Sequence, residues 1–303
     1  MLTRRVFLNS LAAAGLTAAL PVCASAAPVP ATKKIPRTGQ ALPVIGMGSW
    51  ITFDVGNDAQ ARAARTQVLK TFFALGGGMI DSSPMYGSSE EVIGHGLAAL
   101  GMPRGLFSAT KVWTPGKDHG VRQMAESERL WGLKTFDLLQ VHNLLGWEGH
   151  LETLKQWKAN GRVRHIGITT SHGRRHRDLA RIMEAEPLDF VQLTYNIDDR
   201  AAETRLLPLA AEKGIAVIAN RPFQRGALID RLQGRPLPPF AAEIGAGSWP
   251  QVLLKFIVSH PAVTCAIPAT SRVDHMRENM GAARGPMPDA AMRRELAEYV
   301  ESL

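Results

Sequence analysis

Two cysteines in 303 residues leave no room for a disulfide framework. One, Cys23, falls in an N-terminal leader. The other, Cys265, lies in an apolar run and reads as a small buried hydrophobe. After the leader no apolar stretch is long enough to cross a bilayer. Aromatic residues are sparse at 6%, while Ala and Gly are abundant, which suits a helix-rich α/β protein. A net charge of +8 and a pI near 9.8 invite comparison with nucleic-acid binders. Yet the basic residues are scattered and no basic stripe interleaved with aromatics occurs. The one tight cluster, Arg174-Arg175-His176-Arg177, opens an expected helix. It reads as a solvated face, or functionally as a modest field for a phosphorylated cofactor. The histidines lack metal-ligand spacing beside a strand-end carboxylate, and arginines next to His172 and His176 disfavour a cation. Gly94-His95-Gly96 sits inside an expected helix instead of at a strand-to-helix turn, so it is no dinucleotide fingerprint.

What is present begins with the leader. Thr3-Arg4-Arg5-Val6-Phe7-Leu8 is a twin-arginine pattern, followed by an Ala/Leu-rich run and the cleavage-type triplet Ala24-Ser25-Ala26. Residues 1–27 are therefore expected to be a signal peptide, read by the twin-arginine export machinery and removed. That route carries folded proteins and implies a periplasmic or otherwise exported location. Residues 28–34 read as a linker, and 35–303 as a single domain with no internal break.

Within that domain, Ile35 to Leu42 reads as a hairpin around Thr38-Gly39. Eight short apolar runs then alternate with eight helical stretches, at intervals of roughly 25–45 residues. The strands centre on Val44–Gly48, Met79-Ile80, Leu106–Thr110, Asp137–Val141, Val163–Ile168, Phe190–Thr194, Ile215–Ala219 and Val263–Ile267. Strands five to seven are continuously apolar, as strands buried on both faces should be. The expected fold is an α/β (β/α)8 TIM barrel with an N-terminal hairpin and an extra C-terminal helix from about Asp289. The competing doubly wound sheet lacks its Gly-rich first turn here.

Polar groups stand where these runs end, at the mouth where parallel α/β proteins place their chemistry. Asp81 ends the second, and Tyr86 follows five positions later beyond a stiffening proline. Lys111 follows the third run and His142 the fourth. Phenol, ammonium and carboxylate make a sensible set. The ammonium stabilises a phenolate and lowers its pKa from about 10, and the carboxylate holds the ammonium, which yields a general acid usable near neutrality.

Asp81-Ser82-Ser83-Pro84-Met85-Tyr86-Gly87, then S-A-T-K-V-W, L-L-Q-V-H-N, F-V-Q-L-T-Y-N and A-I-P-A-T-S-R occur in this order, and with them the chain resembles the aldo-keto reductase family over most of its length after about residue 34. The resemblance implies NADPH-dependent reduction of an aldehyde or ketone, with NADP favoured over NAD. It implies that Tyr86 gives the proton, that Lys111 and Asp81 tune it, and that His142 orients the carbonyl or assists the proton. For the cofactor it implies Gly48, Ser49 and Asp81, Gln192 on the nicotinamide carboxamide, and Thr169-Thr170 where the family often has Ser-Asn. It further implies Thr270, Ser271 and Arg272 at a 2′-phosphate, with helix capping by Ser271 as the alternative, and Asn279 near the adenine. Trp50 and Trp113 would wall a substrate cleft. After strand seven the family commonly places a stacking tyrosine, whereas this chain has Asn220-Arg221-Pro222-Phe223. Arg221 could stack there as a planar guanidinium. That departure keeps open a second reading, a cofactor-binding sensor or partner subunit with little turnover. A monomer is the further implication of the resemblance.

Overall fold

In a computed structural model, the structure describes residues 29–303 except His172, with no account of the Arg174 side chain. The expected signal peptide at 1–27 and the first residue of the expected linker lie outside the described residues.

Strands β1 (Thr32–Lys34) and β2 (Ala41–Pro43) form an antiparallel hairpin. Eight parallel strands follow: β3 (Met47–Gly48), β4 (Met79–Asp81), β5 (Phe107–Val112), β6 (Phe136–Val141), β7 (Val163–Thr169), β8 (Phe190–Thr194), β9 (Ala216–Asn220) and β10 (Val263–Ala266). They pair in chain order, and the isolated parallel bridges Ile45–Ala266 and Gly48–Ala269 join the last strand to the first. The helices are α1 (Ala59–Ala74), α2 (Ser89–Ala99), α3 (Lys117–Trp131), α4 (Trp147–Ala159), α5 (His176–Ala185), α6 (Leu206–Lys213), α7 (Ala227–Leu232), α8 (Trp249–Ser259), α9 (Val273–Gly281) and α10 (Ala290–Glu301). This is the expected (β/α)8 barrel with its hairpin and terminal helix.

The two-residue period of a strand decides what fills the barrel. Met79, Phe107, Ala109, Leu138, Phe190, Ala216, Ile218 and Cys265 pack with one another in the interior, and Ile35 and Leu42 of the hairpin join them to close the bottom. A larger apolar layer lies between the strands and the surrounding helices. Two residues further up the same inward columns, the character changes. Met79 gives way to Asp81, Ala109 to Lys111, Leu138 to Gln140, Phe190 to Gln192 and Ile218 to Asn220. Each of these five strands thus carries an apolar foot and a polar head, and the heads gather at one mouth.

One local expectation needs correction. The linker assigned to 28–34 contains β1, because Lys33 does more than continue a flexible segment. Its Nζ donates to the carbonyls of His260 and Val263 at 2.7 and 2.6 Å, which fastens the hairpin to the end of α8 and the start of β10. The segment after β9 also holds the short α7. The Gly94 that fails as a fingerprint has a packing role instead. A Cβ at Gly94 would lie 1.8 Å from the Leu130 carbonyl oxygen of α3. Gly94→Ala should therefore lower stability by about 1–3 kcal/mol, overriding the roughly 1 kcal/mol that alanine gains in an open helix. Urea melts of the two proteins check this.

Candidate active site

β4 ends at Asp81, β5 delivers Lys111, and the register sets Gln140 of β6 beside Lys111. Lys111 Nζ donates to Asp81 Oδ2 at 2.5 Å and to the Ser82 carbonyl at 2.7 Å. The other carboxylate oxygen, Oδ1, accepts from Gln140 Nε2 at 3.2 Å and from Gln192 Nε2 at 2.9 Å. Both ions are sealed, with side-chain exposures of 0% and 2%. Burial by itself would lower the Lys111 pKa, but the Asp81 carboxylate and Tyr86 outweigh it, so the ammonium is held above its ordinary value.

Tyr86 lies on the turn after β4, its ring centroid 5.2 Å from Lys111 Nζ. Its ring meets that of His142 edge-on, with centroids 5.7 Å apart. Burial pushes the phenol above its ordinary pKa, and the Lys111 charge only partly offsets this. The lowered phenol expected from sequence is not found, because desolvation of the phenolate exceeds the attraction of an ammonium already shared with Asp81. Tyr86 is therefore protonated near neutrality. His142, just past β6, is driven down to about 2, first by burial and then by Lys111, and stands neutral.

That shift has a consequence for stability. A histidine whose folded pKa lies below its ordinary 6.5 binds fewer protons folded than unfolded, so stability is lost as pH falls through 6.5 toward the folded value. His260, lowered to about 4 chiefly by burial, acts in the same direction. The His142 contribution should cost about 1.4 kcal/mol per pH unit below pH 6, and His142→Gln should flatten the acid limb of a melting-temperature profile.

A pocket of about 540 Å³ opens over this mouth. It is lined by Asp81, Tyr86 and His142, by Gly48, Ser49 and Trp50, and by Thr169, Gln192, Asn220, Arg221, Pro222 and Phe223. Thr270 and Asn279 line it farther along. Lys111 lies behind Asp81. Thr170 is also behind the wall, where its carbonyl accepts from Asn220 Nδ2 at 2.9 Å and its Oγ1 is buried without a partner among the described residues. Asn220 Nδ2 further reaches Gln192 Oε1 at 3.4 Å. Asn220 thus braces Gln192 at the pocket wall.

Three expected contacts fall elsewhere. Trp113 does not line the pocket. Its backbone N–H and carbonyl are bound by the Gln123 side chain, which holds this loop against α3 with the indole 40% exposed. Ser271 and Arg272 stand outside the lining, and Arg272 pairs with Asp274 at 2.5 Å. Ser271 does not cap α9. Thr270 Oγ1 instead accepts the Arg272 N–H at 3.1 Å, because the turn brings i and i+2 together.

Other lining residues escaped the sequence reading. His275 and Glu278 join Asn279 in the pocket, and a helix puts i, i+3 and i+4 on one face, so Asn279 alone could have pointed to them. Arg225 lies over the Trp50 ring, 4.3 Å from its centroid. Arg221, Gln224 and Arg225 all adopt left-handed backbone, with φ of 52°, 48° and 63°, a concentration of strain that ordinary turn signals do not announce. Among the described residues no cluster of potential metal ligands occurs, and no helix is long and apolar enough to cross a membrane.

A barrel with an acid, an ammonium, a phenol and an imidazole at its strand mouths defines an α/β-barrel enzyme. The chain belongs to the aldo/keto reductase family, whose model matches residues 44–295, and it is an oxidoreductase of that type. Methylglyoxal reductase YeaE of Escherichia coli is 27% identical over 243 residues, covering 78% of this chain and 84% of that protein. The thermostable aldo-keto reductase Tm1743, solved with the inhibitor epalrestat, superposes with a TM-score of 0.75 at 26% identity, covering 88% of this chain and 99% of that one. An aldo/keto reductase of Klebsiella pneumoniae, solved with NADP and acetate, shares the fold with a TM-score of 0.73 at 24% identity, covering 86% and 93%.

Proposed function

We propose that the chain reduces the carbonyl of a small or medium aldehyde or ketone to an alcohol, using NADPH, with Tyr86 as proton donor. The observation that carries this reading is the buried Lys111–Asp81 pair beside a protonated Tyr86 and a neutral His142 at one end of a deep pocket. Tyr86 gives its phenolic proton to the carbonyl oxygen, and the Lys111 ammonium stabilises the phenolate that remains. Asp81 holds that ammonium in place. His142, being neutral, orients the carbonyl by hydrogen bonding instead of donating a charge.

The residues fit a nicotinamide dinucleotide. Gln192 lines the pocket with its amide braced by Asn220, and Thr270, His275, Glu278 and Asn279 offer further polar groups. When bound, the cofactor supplies the hydride to the carbonyl carbon. Gln192 would hold the carboxamide, and Asn279 the adenine. Arg272 would leave Asp274 for a 2′-phosphate, which favours NADP. The Klebsiella protein, with NADP in the same fold, supports this choice. YeaE, named a methylglyoxal reductase, supports small carbonyl compounds as the substrate class. The twin-arginine pattern at Arg4-Arg5 supports export as a further part of the proposal.

The test is sustained turnover of NADPH by the purified protein over a panel of aldehydes, ketones and quinones. Repeated turnover supports the enzyme reading, whereas a single turnover followed by arrest would sink it in favour of a sensor. Arg272→Ala should raise the NADPH dissociation constant about tenfold and leave that for NADH unchanged, as loss of a charged hydrogen bond predicts. Fluorescence titration with both cofactors measures it.

A further inference from the structure

Ser83 has no part in the proton chemistry proposed above, yet it is fully buried beside it. Its Oγ lies 2.8 Å from His142 Nδ1 and accepts the Met85 N–H at 3.3 Å. A hydroxyl has one proton to give and two lone pairs to fill. If Nδ1 carried the imidazole proton, Ser83 Oγ would receive two donors, and among the described residues its own proton would have no acceptor. Buried polar groups avoid that state. With Nδ1 bare, the account closes. Met85 N–H donates to Oγ, and Ser83 O–H donates to Nδ1.

We propose that Ser83 is a positioning residue that fixes His142 as the Nε2–H tautomer, so that the imidazole presents a donor to the carbonyl oxygen served by Tyr86. Nδ1 is taken by Ser83, and His142 lines the pocket, which leaves Nε2 as the nitrogen turned to substrate. Because burial and Lys111 keep the ring neutral, one nitrogen must be bare at every physiological pH, and something has to choose which. The edge-on Tyr86–His142 contact brings both donors to one region of the pocket. The proposal rests on the carbonyl-reduction reading for its purpose, but not for its geometry.

The experiment uses the full chain labelled with 15N in histidine. Two-bond proton–nitrogen spectra are recorded for wild type, Ser83→Ala and Ser83→Thr, with His142→Gln identifying the ring among the nine histidines. Steady-state kcat and KM are measured in parallel. Wild type should show a protonated Nε2 and a bare Nδ1. Ser83→Ala should shift population to Nδ1–H and lower kcat about tenfold, the worth of one hydrogen bond, with cofactor KM unchanged. Ser83→Thr should restore both. An Nδ1–H tautomer in wild type overturns the proposal. So does Ser83→Ala keeping the Nε2–H tautomer, whether or not kcat falls. If the alanine variant fails to fold, the wild-type and threonine spectra decide alone. The tautomer is read without turnover, so a failure of the reduction reading is seen separately in the kinetics.

Discussion

Tyr86→Phe is expected to lower kcat for carbonyl reduction by about 10²–10⁴-fold, the range associated with a positioned general acid. The ring remains, so its edge-on packing against His142 and the shape of the pocket wall survive, and NADPH should bind as before. Only the proton is lost. Steady-state absorbance assays with wild type and variant, beside a cofactor titration, separate the two effects. Retention of kcat within tenfold would move the proton donor elsewhere, and His142 could not take over as an imidazolium, since it is held neutral.

The second large effect concerns stability as well as rate. Lys111→Met leaves the Asp81 carboxylate buried with two amide donors and no cation. Removing one partner of such a pair costs about 3–5 kcal/mol. Asp81→Asn should likewise destabilise by stranding the ammonium. Combining the two should recover part of the stability but none of the activity, because the phenolate would still lack its counter-charge. Urea unfolding of the two single variants and the double variant, with kcat on each, forms the cycle. If the double variant regains activity, the pair is only a tie between two loops. The pH dependence has a definite sign. The Lys111 pKa is raised in the folded state, so the stability it contributes is complete below the unfolded lysine value near 10.4 and is lost as pH rises through the folded value.

Much of this was legible because a barrel strand writes its two ends differently. The switch from Met79-Ile80 to Asp81, and from Ala109-Thr110 to Lys111, marks the point where the inward column leaves the apolar interior. Position in the chain therefore became position at the mouth. Gln192 and Asn220 were readable for the same reason. Gln140 was quoted within its motif but given no task, since nothing local shows that its amide reaches across the barrel to Asp81. The rise in the Tyr86 pKa was also hidden. It depends on how much water the folded loops exclude, which no spacing records. Lys33 escaped because its partners lie more than two hundred residues away, and the Thr32-Lys33-Lys34 run resembles solvent-exposed chain. Trp113 misled in the opposite direction. A tryptophan just past a strand suggests a cleft wall, but the Gln123 side chain fixes its backbone outside the pocket.

The complete enclosure of Lys111 has one more consequence. Its ammonium is surrounded by Asp81, the Ser82 carbonyl and Tyr86, and it presents no surface to solvent. The rear of the cluster is a sealed reservoir that can redistribute charge but cannot be refilled from behind. Under the proposed donation, the proton spent by Tyr86 must come back from the pocket side, through the opening by which the alcohol departs. Exit of the product and recharging of the acid then share a single doorway, and each cycle of the enzyme takes one breath of water.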